Sequence, residues 1–170
     1  NYGTIVRTTN GGEIWTLQSS GTTKYLYGVS FTDLNTGTAV GDSGLILKTT
    51  NGGETWISQH SIINKKLNSV SFKDKNIGIA VGNLGTIIRT TNGGSAWTVQ
   101  SSGISTKLRS VCFSDENNGT VVGHLGTILK TSNGGSTWNL QSSGTSNHLY
   151  GVSFIDPNKG IAVGDSGTIL

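Results

Sequence analysis

The stretch TTNGGETW, Thr49–Trp56, is one of four near-identical segments in this chain of 170 residues. The others are TTNGGEIW at 8–15, TTNGGSAW at 90–97 and TSNGGSTW at 131–138, so the interval from one segment to the next is always the same. A fixed interval without insertions predicts a repeat architecture, in which each unit packs on its neighbours and an extra residue would disturb the contact. One repeated unit of constant length therefore determines the fold.

The composition favours short strands and tight turns. The chain contains 26 glycines and one proline, and only 12% of its residues are charged, which is a low share for a globular domain. No segment has a sustained helical period, so no helix is predicted. Low charge combined with modest hydrophobicity favours a secreted, periplasmic or cell-surface protein.

Each unit contains four strand-like runs separated by turn residues. In the second unit the runs are Leu26–Phe31, Thr38–Gly41, Leu45–Thr49 and Thr55–Gln59. The first run alternates in polarity, the next two are apolar or small, and the last is the most polar. A period of about 40 to 45 residues with four short antiparallel strands is typical of a β-propeller blade. The predicted fold is therefore an all-β propeller made of four-stranded blades.

The phase of the runs divides the chain into units. These are a partial blade at 1–25, blades at 26–66, 67–107 and 108–148, and a partial blade at 149–170. The sequence begins at the third strand of one blade and ends in the third strand of another. In a closed ring of four blades, these two end segments would compete for the same strand position. An arc or half of a ring of seven or eight blades is predicted, and a head-to-tail homodimer with eight blades is the alternative.

The recurring segment combines the residue types that a tight hairpin requires. Asn51 can close an Asx-turn onto the backbone two residues on. Gly52 and Gly53 can adopt the positive φ angles of such turns. Trp56 is expected to place its ring between adjacent blades, where its indole N–H needs an acceptor. A structural rather than catalytic role is predicted for the segment.

The segment resembles the Asp-box, the bacterial neuraminidase repeat, which reads Ser/Thr-x-Asp-x-Gly-x-Thr-Trp. In that family it forms the hairpin between the third and fourth strands, on the face opposite the usual ligand site. Asn replaces Asp in every copy here, and Ile14 and Ala96 replace the Thr before Trp. The matching positions are Thr8, Asn10, Gly12 and Trp15; Thr49, Asn51, Gly53 and Trp56; Thr90, Asn92, Gly94 and Trp97; and Thr131, Asn133, Gly135 and Trp138.

The whole unit resembles one family more closely. LYGVSFTDLNTGTAVGDSGLILKTTNGGETW, at 26–56, looks like the repeat of the photosystem II stability/assembly-factor-like propellers. The resemblance covers nearly the whole chain and implies a role in assembly or protein binding, and the photosynthetic members carry a basic patch. Basic residues recur here at one position of the unit, either as such a patch or as solvated strand ends. They are Arg7, Lys48, Arg89 and Lys130.

Sialidases share the Asp-box, and resemblance to them would imply three arginines that clamp a carboxylate, a Tyr–Glu pair and an acidic Asp. Arg7 and Arg89 are equivalent in the repeat and so lie in different blades. Glu13 and Glu54 fall inside Asp-box turns, and Glu116 falls in a loop. No pair of carboxylates converges as a glycosidase requires, so the chain is predicted not to be an enzyme.

Metal and cofactor sites are not predicted. His60, His124 and His148 occupy unrelated phases of the unit, which argues against a metal cluster. No phosphate-binding or nucleotide-binding motif is present. Cys112 is the single cysteine, so it forms no intrachain disulfide, and a buried strand position is expected for it.

Candidate ligand-binding residues lie where the units differ within a constant frame. One such position begins the first strand, and its residues are Tyr27, Asn68, Arg109 and Tyr150. A second lies in the turn between the second and third strands, and its residues are Asp42, Asn83, His124 and Asp165. Propeller topology places both positions on one face near the central channel. They could hold a polar ligand or a protein segment, and neutral drift at exposed positions is the alternative.

The predicted function is a non-enzymatic scaffold that binds a protein partner or assists assembly. Carbohydrate recognition is the first alternative, because Tyr27 and Tyr150 are aromatic and the turn resembles that of sialidases. A structural repeat of a bacterial surface protein is the second. The net charge of +3 includes no basic run, which argues against nucleic acid. No membrane span is predicted, since no apolar stretch is long enough to cross a bilayer.

Overall fold

The computed structural model describes residues 3–170. This part of the chain forms sixteen short strands, with single 3-10 turns at Asp42–Gly44 and Asp165–Gly167. The strands are β1 (Ile5–Arg7), β2 (Thr16–Gln18), β3 (Leu26–Phe31), β4 (Gly37–Gly41), β5 (Ile46–Thr49), β6 (Ile57–Gln59), β7 (Leu67–Phe72), β8 (Gly78–Gly82), β9 (Ile87–Thr90), β10 (Thr98–Gln100), β11 (Leu108–Phe113), β12 (Gly119–Gly123), β13 (Ile128–Thr131), β14 (Asn139–Gln141), β15 (Leu149–Asp156) and β16 (Lys159–Gly164).

The strands form antiparallel sheets that follow chain order. Three sheets have four strands each, namely β3 to β6, β7 to β10 and β11 to β14, while β1 pairs with β2 and β15 with β16. The register repeats from sheet to sheet, since Val29 lies opposite Ala39 and Val70 lies opposite Ala80. The predicted all-β fold with four-stranded blades is therefore confirmed. The ring size and the unit limits stay predictions, because the connections between sheets belong equally to either neighbour.

The core lies between neighbouring sheets. The strands β4, β8 and β12 are buried along their whole length, because they have a sheet on both sides. One cluster joins Val40, Ile46, Leu67, Val70, Ala80, Ile88 and Trp97, and the next joins Ile79, Val81, Ile87, Leu108, Val111, Val121, Leu129 and Trp138. Each cluster takes residues from two successive units. Cys112 in β11 is only partly buried, contrary to expectation, because its side chain lies on a face that the core does not fill.

The first four-stranded sheet, β3 to β6, and the last sheet, β15 with β16, each have a face that is not fully covered. Val29 is 61% exposed, whereas the equivalent Val70 and Val111 are each 6% exposed. Val163 in β16 is 44% exposed, whereas the equivalent Val40 is fully buried. A groove of about 880 Å³ lies beside Val29, between β1 and the sheet of β3 to β6. The predicted head-to-tail homodimer would cover such faces, and it stays a prediction.

A glycine under an aromatic ring fixes the start of each second strand. Gly78 lies directly opposite Phe72, and a Cβ atom at Gly78 would lie 2.6 Å from carbon atoms of the Phe72 ring. The ring in turn meets the indole of Trp97 edge to face, with centroids 5.9 Å apart. A side chain at position 78 would therefore displace the ring that contacts the Asp-box tryptophan.

Gly78→Ala is expected to lower the free energy of unfolding by about 2 kcal/mol, because an added methyl group overpacks this contact. Urea unfolding followed by tryptophan fluorescence measures the change. Gly151→Ala is the control, since its Cβ would meet only a methyl group of Val163, at 3.3 Å. An equal loss in both variants would contradict the assigned role of the Phe72 ring.

The loops between first and second strands are closed by aspartates. Asp33 Oδ1 accepts hydrogen bonds from the backbone N–H groups of Asn35 and Thr36, both at 2.8 Å. These bonds lower the pKa of Asp33 below its ordinary value of 3.8. The backbone and side chain of Asn118 lower the pKa of Asp115 in the same way. The ionised carboxylates therefore stabilise the folded chain.

Since the pKa values of Asp33 and Asp115 are lower in the folded chain than in the unfolded chain, their contribution to stability is complete above pH 3.8. It is lost as the pH falls through the folded-state values. The urea concentration at the unfolding midpoint, measured between about pH 2 and pH 6, is expected to decrease as the pH is lowered. The control carries Asp33→Asn and Asp115→Asn, which keep the acceptor oxygens but do not titrate. A fall in this variant as steep as in the parent chain would exclude these turns as its source.

Candidate functional site

One edge of every sheet carries the candidate residues. It consists of the starts of β3, β7, β11 and β15 and of the turns at 42–44, 83–85, 124–126 and 165–167, and it is called the turn face below. The same backbone bond joins the two parts in each unit, as when Asn83 N–H donates to the carbonyl of Lys66 at 3.0 Å. Gly82 permits this approach, because a Cβ atom there would lie 2.0 Å from that carbonyl oxygen.

The eight candidate residues predicted from the sequence lie on the turn face as four pairs, three of them joined by a side-chain hydrogen bond. Each pair joins a first-strand residue to the turn residue of the same unit. Tyr27 Oη donates to Asp42 Oδ2 at 3.3 Å, Asn68 Nδ2 donates to Asn83 Oδ1 at 3.1 Å, and Arg109 Nε donates to His124 Nε2 at 3.1 Å. In the fourth pair an interaction with the Asp165 carboxylate raises the pKa of Tyr150. The two variable positions therefore change together, Tyr with Asp, Asn with Asn and Arg with His.

The site also includes two lysines that were not predicted from the sequence. Lys66 and Lys107 stand two residues before Asn68 and Arg109 on the chain. Burial lowers the pKa of Lys107, and the nearby charges of Arg109 and Lys66 lower it further. Within residues 3–170, no carboxylate lies within 4.0 Å of Lys107 or Arg109. The two lysines stand just before β7 and β11, where the strand register is irregular, so strand alternation in the sequence did not point to them.

Lys66 links two neighbouring parts of the turn face. Its ammonium nitrogen lies 3.4 Å from the centroid of the Tyr27 ring and 3.9 Å from Asp42 Oδ1. Such a cation–π contact favours a fixed position of the lysine over the ring. Charge on this face is thus balanced beside Asp42 and unbalanced beside Lys107.

His124 and His148 are closer together than their different positions in the repeated unit suggested. The rings of His124 and His148 stack with centroids 4.0 Å apart and planes 4° apart. His148 Nδ1 accepts a hydrogen bond from the backbone of Leu125 at 3.0 Å, and His124 Nε2 accepts from Arg109. Burial, followed by the proximity of His148, lowers the pKa of His124. Each ring therefore accepts a hydrogen bond at one nitrogen. Residues 3–170 contain no group of three or more His, Cys, Asp or Glu side chains that could hold a metal ion.

The recurrent basic position has a structural role. Lys48 Nζ donates to the carbonyl of Gly93 at 2.6 Å, and Arg89 Nε donates to the carbonyl of Gly134 at 2.8 Å. Each acceptor belongs to the Asp-box turn of the next unit. Arg7 makes an ion pair with Glu54 in the equivalent turn at 3.5 Å. These three side chains link successive units and so are neither a free basic patch nor merely solvated strand ends, whereas Lys130 at the same position is exposed.

The Asp-box turns close by side-chain bonds. Thr49 Oγ1 accepts from Gly53 N–H at 2.9 Å, and Asn51 Oδ1 accepts from Thr55 N–H at 3.0 Å. The asparagine thus bonds the backbone four residues on, not two as predicted, because Gly52 and Gly53 at φ 68° and 92° turn the chain back toward it. The Trp56 ring packs against residues of two units, and its indole N–H has no hydrogen-bond partner within residues 3–170, contrary to expectation.

The sequence model of one family, photosynthesis system II assembly factor YCF48, matches residues 6–110 and 99–170. The chain belongs to the YCF48 family. The predicted resemblance to photosystem II assembly-factor-like repeats is therefore confirmed. No curated protein matches the chain significantly.

Solved structures show the same fold. YCF48 bound to D1 peptide matches with a TM-score of 0.71 and 23% identity over 85% of this chain and 48% of that structure. YCF48 from Cyanidioschyzon merolae matches with a TM-score of 0.78 and 17% identity over 99% of this chain and 62% of that structure. An ancestral GH74 enzyme matches with a TM-score of 0.69 and 19% identity over 97% and 28%. These likenesses establish the propeller fold, and this chain spans about half to three-fifths of the YCF48 structures.

Removal of one inter-unit link tests its structural role in this YCF48-family chain. Lys48→Ala is expected to lower the free energy of unfolding by about 1 kcal/mol, because it leaves the carbonyl of buried Gly93 without its donor. Lys130→Ala is the matched control, since Lys130 occupies the same position of the unit, is exposed and has no partner within residues 3–170. Chemical denaturation compares the two, and equal stabilities would contradict the link.

Proposed function

We propose that this chain is a non-enzymatic propeller module that binds a segment of a protein partner through the turn face and so assists assembly. The observation that carries the proposal is the set of four side-chain pairs. The two middle pairs differ from each other and from the two Tyr–Asp pairs that flank them, while equivalent backbone bonds hold all four in place. A fixed frame with variable polar groups suits recognition of one particular partner.

The relatives support a binding role. One structure contains YCF48 bound to D1 peptide, so at least one YCF48 protein binds a peptide. In the present chain Lys107 and Arg109 offer cationic groups that form no ion pair with a carboxylate of residues 3–170, and Tyr27 and Tyr150 offer exposed aromatic rings. Arginine and tyrosine are the residue types that most often anchor protein interfaces.

The contacts of the arginines oppose a sialidase-like activity. Such chemistry needs arginines free to clamp a carboxylate, but Arg7 and Arg89 link successive units through Asp-box turns. Glu54, which lies in one of those turns, is the ion-pair partner of Arg7. The acidic residues Asp42 and Asp165 interact with tyrosines of their own units. These roles support the proposal that the module is not an enzyme.

The test uses the full chain immobilised as bait in an extract of its source cells, with captured proteins identified by mass spectrometry. A partner retained by the parent chain is expected to be lost at least about tenfold with Arg109→Ala combined with Tyr150→Ala, since interface anchors of these types contribute strongly. Lys130→Ala is the control, because it removes a cation away from the turn face. Undiminished capture by the double variant would show that the turn face is not the binding surface.

Carbohydrate recognition is the second candidate. Tyr25 and Tyr27 stack with centroids 6.1 Å apart, and paired aromatic rings suit the apolar faces of sugars. A glycan array without a hit above background would remove this candidate. Among residues 3–170 no helix has the length and apolarity of a membrane crossing. The structural-repeat alternative and a secreted, periplasmic or cell-surface location stay predictions.

A further inference from the structure

Two equivalent grooves open on the turn face between successive units. The first has a volume of about 610 Å³ and apolar walls formed by Ile63, Leu84, Val99 and Ile104. The second has a volume of about 480 Å³ and apolar walls formed by Ile104, Leu125 and Leu140. Leu84 and Leu125 occupy the same position of successive units, as do Val99 and Leu140. Because Ile104 contributes to both grooves, the grooves are neighbours on one surface.

A leucine in an unfavourable backbone conformation stands at the rim of each groove. Leu84 and Leu125 have φ angles of 57° and 54°, in the left-handed region that favours glycine and asparagine. Each is nevertheless 63% exposed, so burial within the chain does not compensate for the strain. A leucine at a position whose backbone favours glycine or asparagine is a reason to look for function.

The equivalent turns in the flanking units show that leucine is not needed for the backbone. Ser43 and Ser166 have φ angles of 54° and 55°, so the turn has the same shape with a small polar residue. Leucine occurs only in the two middle units, where Asn83 and His124 replace the aspartates of the flanking turns. In the two middle turns, an apolar side chain is therefore found together with the loss of a negative charge.

Three lysines lie near the leucines, one as a wall residue of the first groove and two through contacts of their main chain. Lys65 lines the first groove. The residues preceding Leu84 and Leu125 donate their backbone N–H groups to the carbonyls of Lys66 and Lys107, at 3.0 and 2.9 Å. Neither groove is lined by an aspartate or a glutamate from residues 3–170. The surface is thus complementary to a ligand with both apolar and negatively charged groups.

We propose that the two grooves bind an extended acidic segment of the partner protein, with one apolar side chain in each groove and carboxylates facing Lys65 in the first groove and Lys107 on the adjoining part of the turn face. This rests on the proposed function and adds the chemistry of the partner. A protein segment fits better than a small molecule, because the two grooves are similar, adjacent and open. Serines at their rims, Ser101 and Ser142, offer polar contacts for its backbone.

Synthetic peptides test the proposed chemistry directly. The probes are fluorescent dodecapeptides made of Glu and Ser with two Leu residues at varied spacing. Matched peptides carry Ala in place of both Leu, or Lys in place of every Glu. Fluorescence anisotropy with the full chain is expected to show binding at least about tenfold tighter for the best acidic two-leucine peptide than for either matched peptide, since each groove would bury one leucine side chain.

Variants of the chain locate the binding surface. Leu84→Asn with Leu125→Asn is expected to weaken that peptide at least about tenfold while keeping or raising the unfolding midpoint, because asparagine tolerates the left-handed conformation. A purely structural role of the leucines would not move affinity and stability in this way. The control, Ser43→Asn with Ser166→Asn, makes the same substitution in equivalent turns and is expected to leave affinity unchanged.

Two results would overturn the inference. Binding that survives Leu84→Asn with Leu125→Asn would place the peptide outside the grooves. Absence of binding across the whole peptide series would show that the partner chemistry is wrong. Neither result decides the proposed function, which depends on whether Arg109→Ala with Tyr150→Ala loses the captured partner.

Discussion

The fold depends on the burial of both faces of each sheet by its neighbours. Val29 and Val70 occupy the same position in almost identical strands, yet the first is 61% exposed and the second 6%. The difference arises solely from whether another sheet covers the face. A four-stranded sheet this small cannot bury a core by itself, so every unit must present the same surface to the next. The constant length of the unit follows, because an inserted residue would shift one side of a shared interface.

The contacts that hold the frame leave the turn face free to vary. On the Asp-box face the bonds use particular side chains, namely Thr49, Asn51 and the link from Lys48 to Gly93. On the turn face the equivalent bonds use backbone groups, such as His124 N–H to the carbonyl of Lys107. Backbone bonds do not depend on residue type. The variable residues of the turn face, unlike Gly82, can therefore be exchanged while these backbone bonds are kept, which makes this face suitable for recognition.

Much of the fold could be predicted from the sequence, because the fold depends on local sequence patterns that recur in every unit. The strands, the Asp-box turns and the common face of Tyr27 and Asp42 all follow from position within one unit. Contacts between units are harder to predict, since they join residues at different positions of the unit. The link from Lys48 to Gly93 and the stack of His124 on His148 are of this kind. Leu84 was missed for another reason, because its positive φ angle is visible only in the backbone.

The distribution of charge distinguishes the two faces. On the Asp-box side, Lys48 and Arg89 bind carbonyl groups and Asp33 and Asp115 bind backbone N–H groups, so these charges serve the structure. On the turn face of the middle units, Lys107 and Arg109 stand together without a carboxylate from residues 3–170, although their proximity is unfavourable and contributes to the lowered pKa of Lys107. Repulsion of this kind does not stabilise the folded chain. A negatively charged partner, as proposed above, would relieve it.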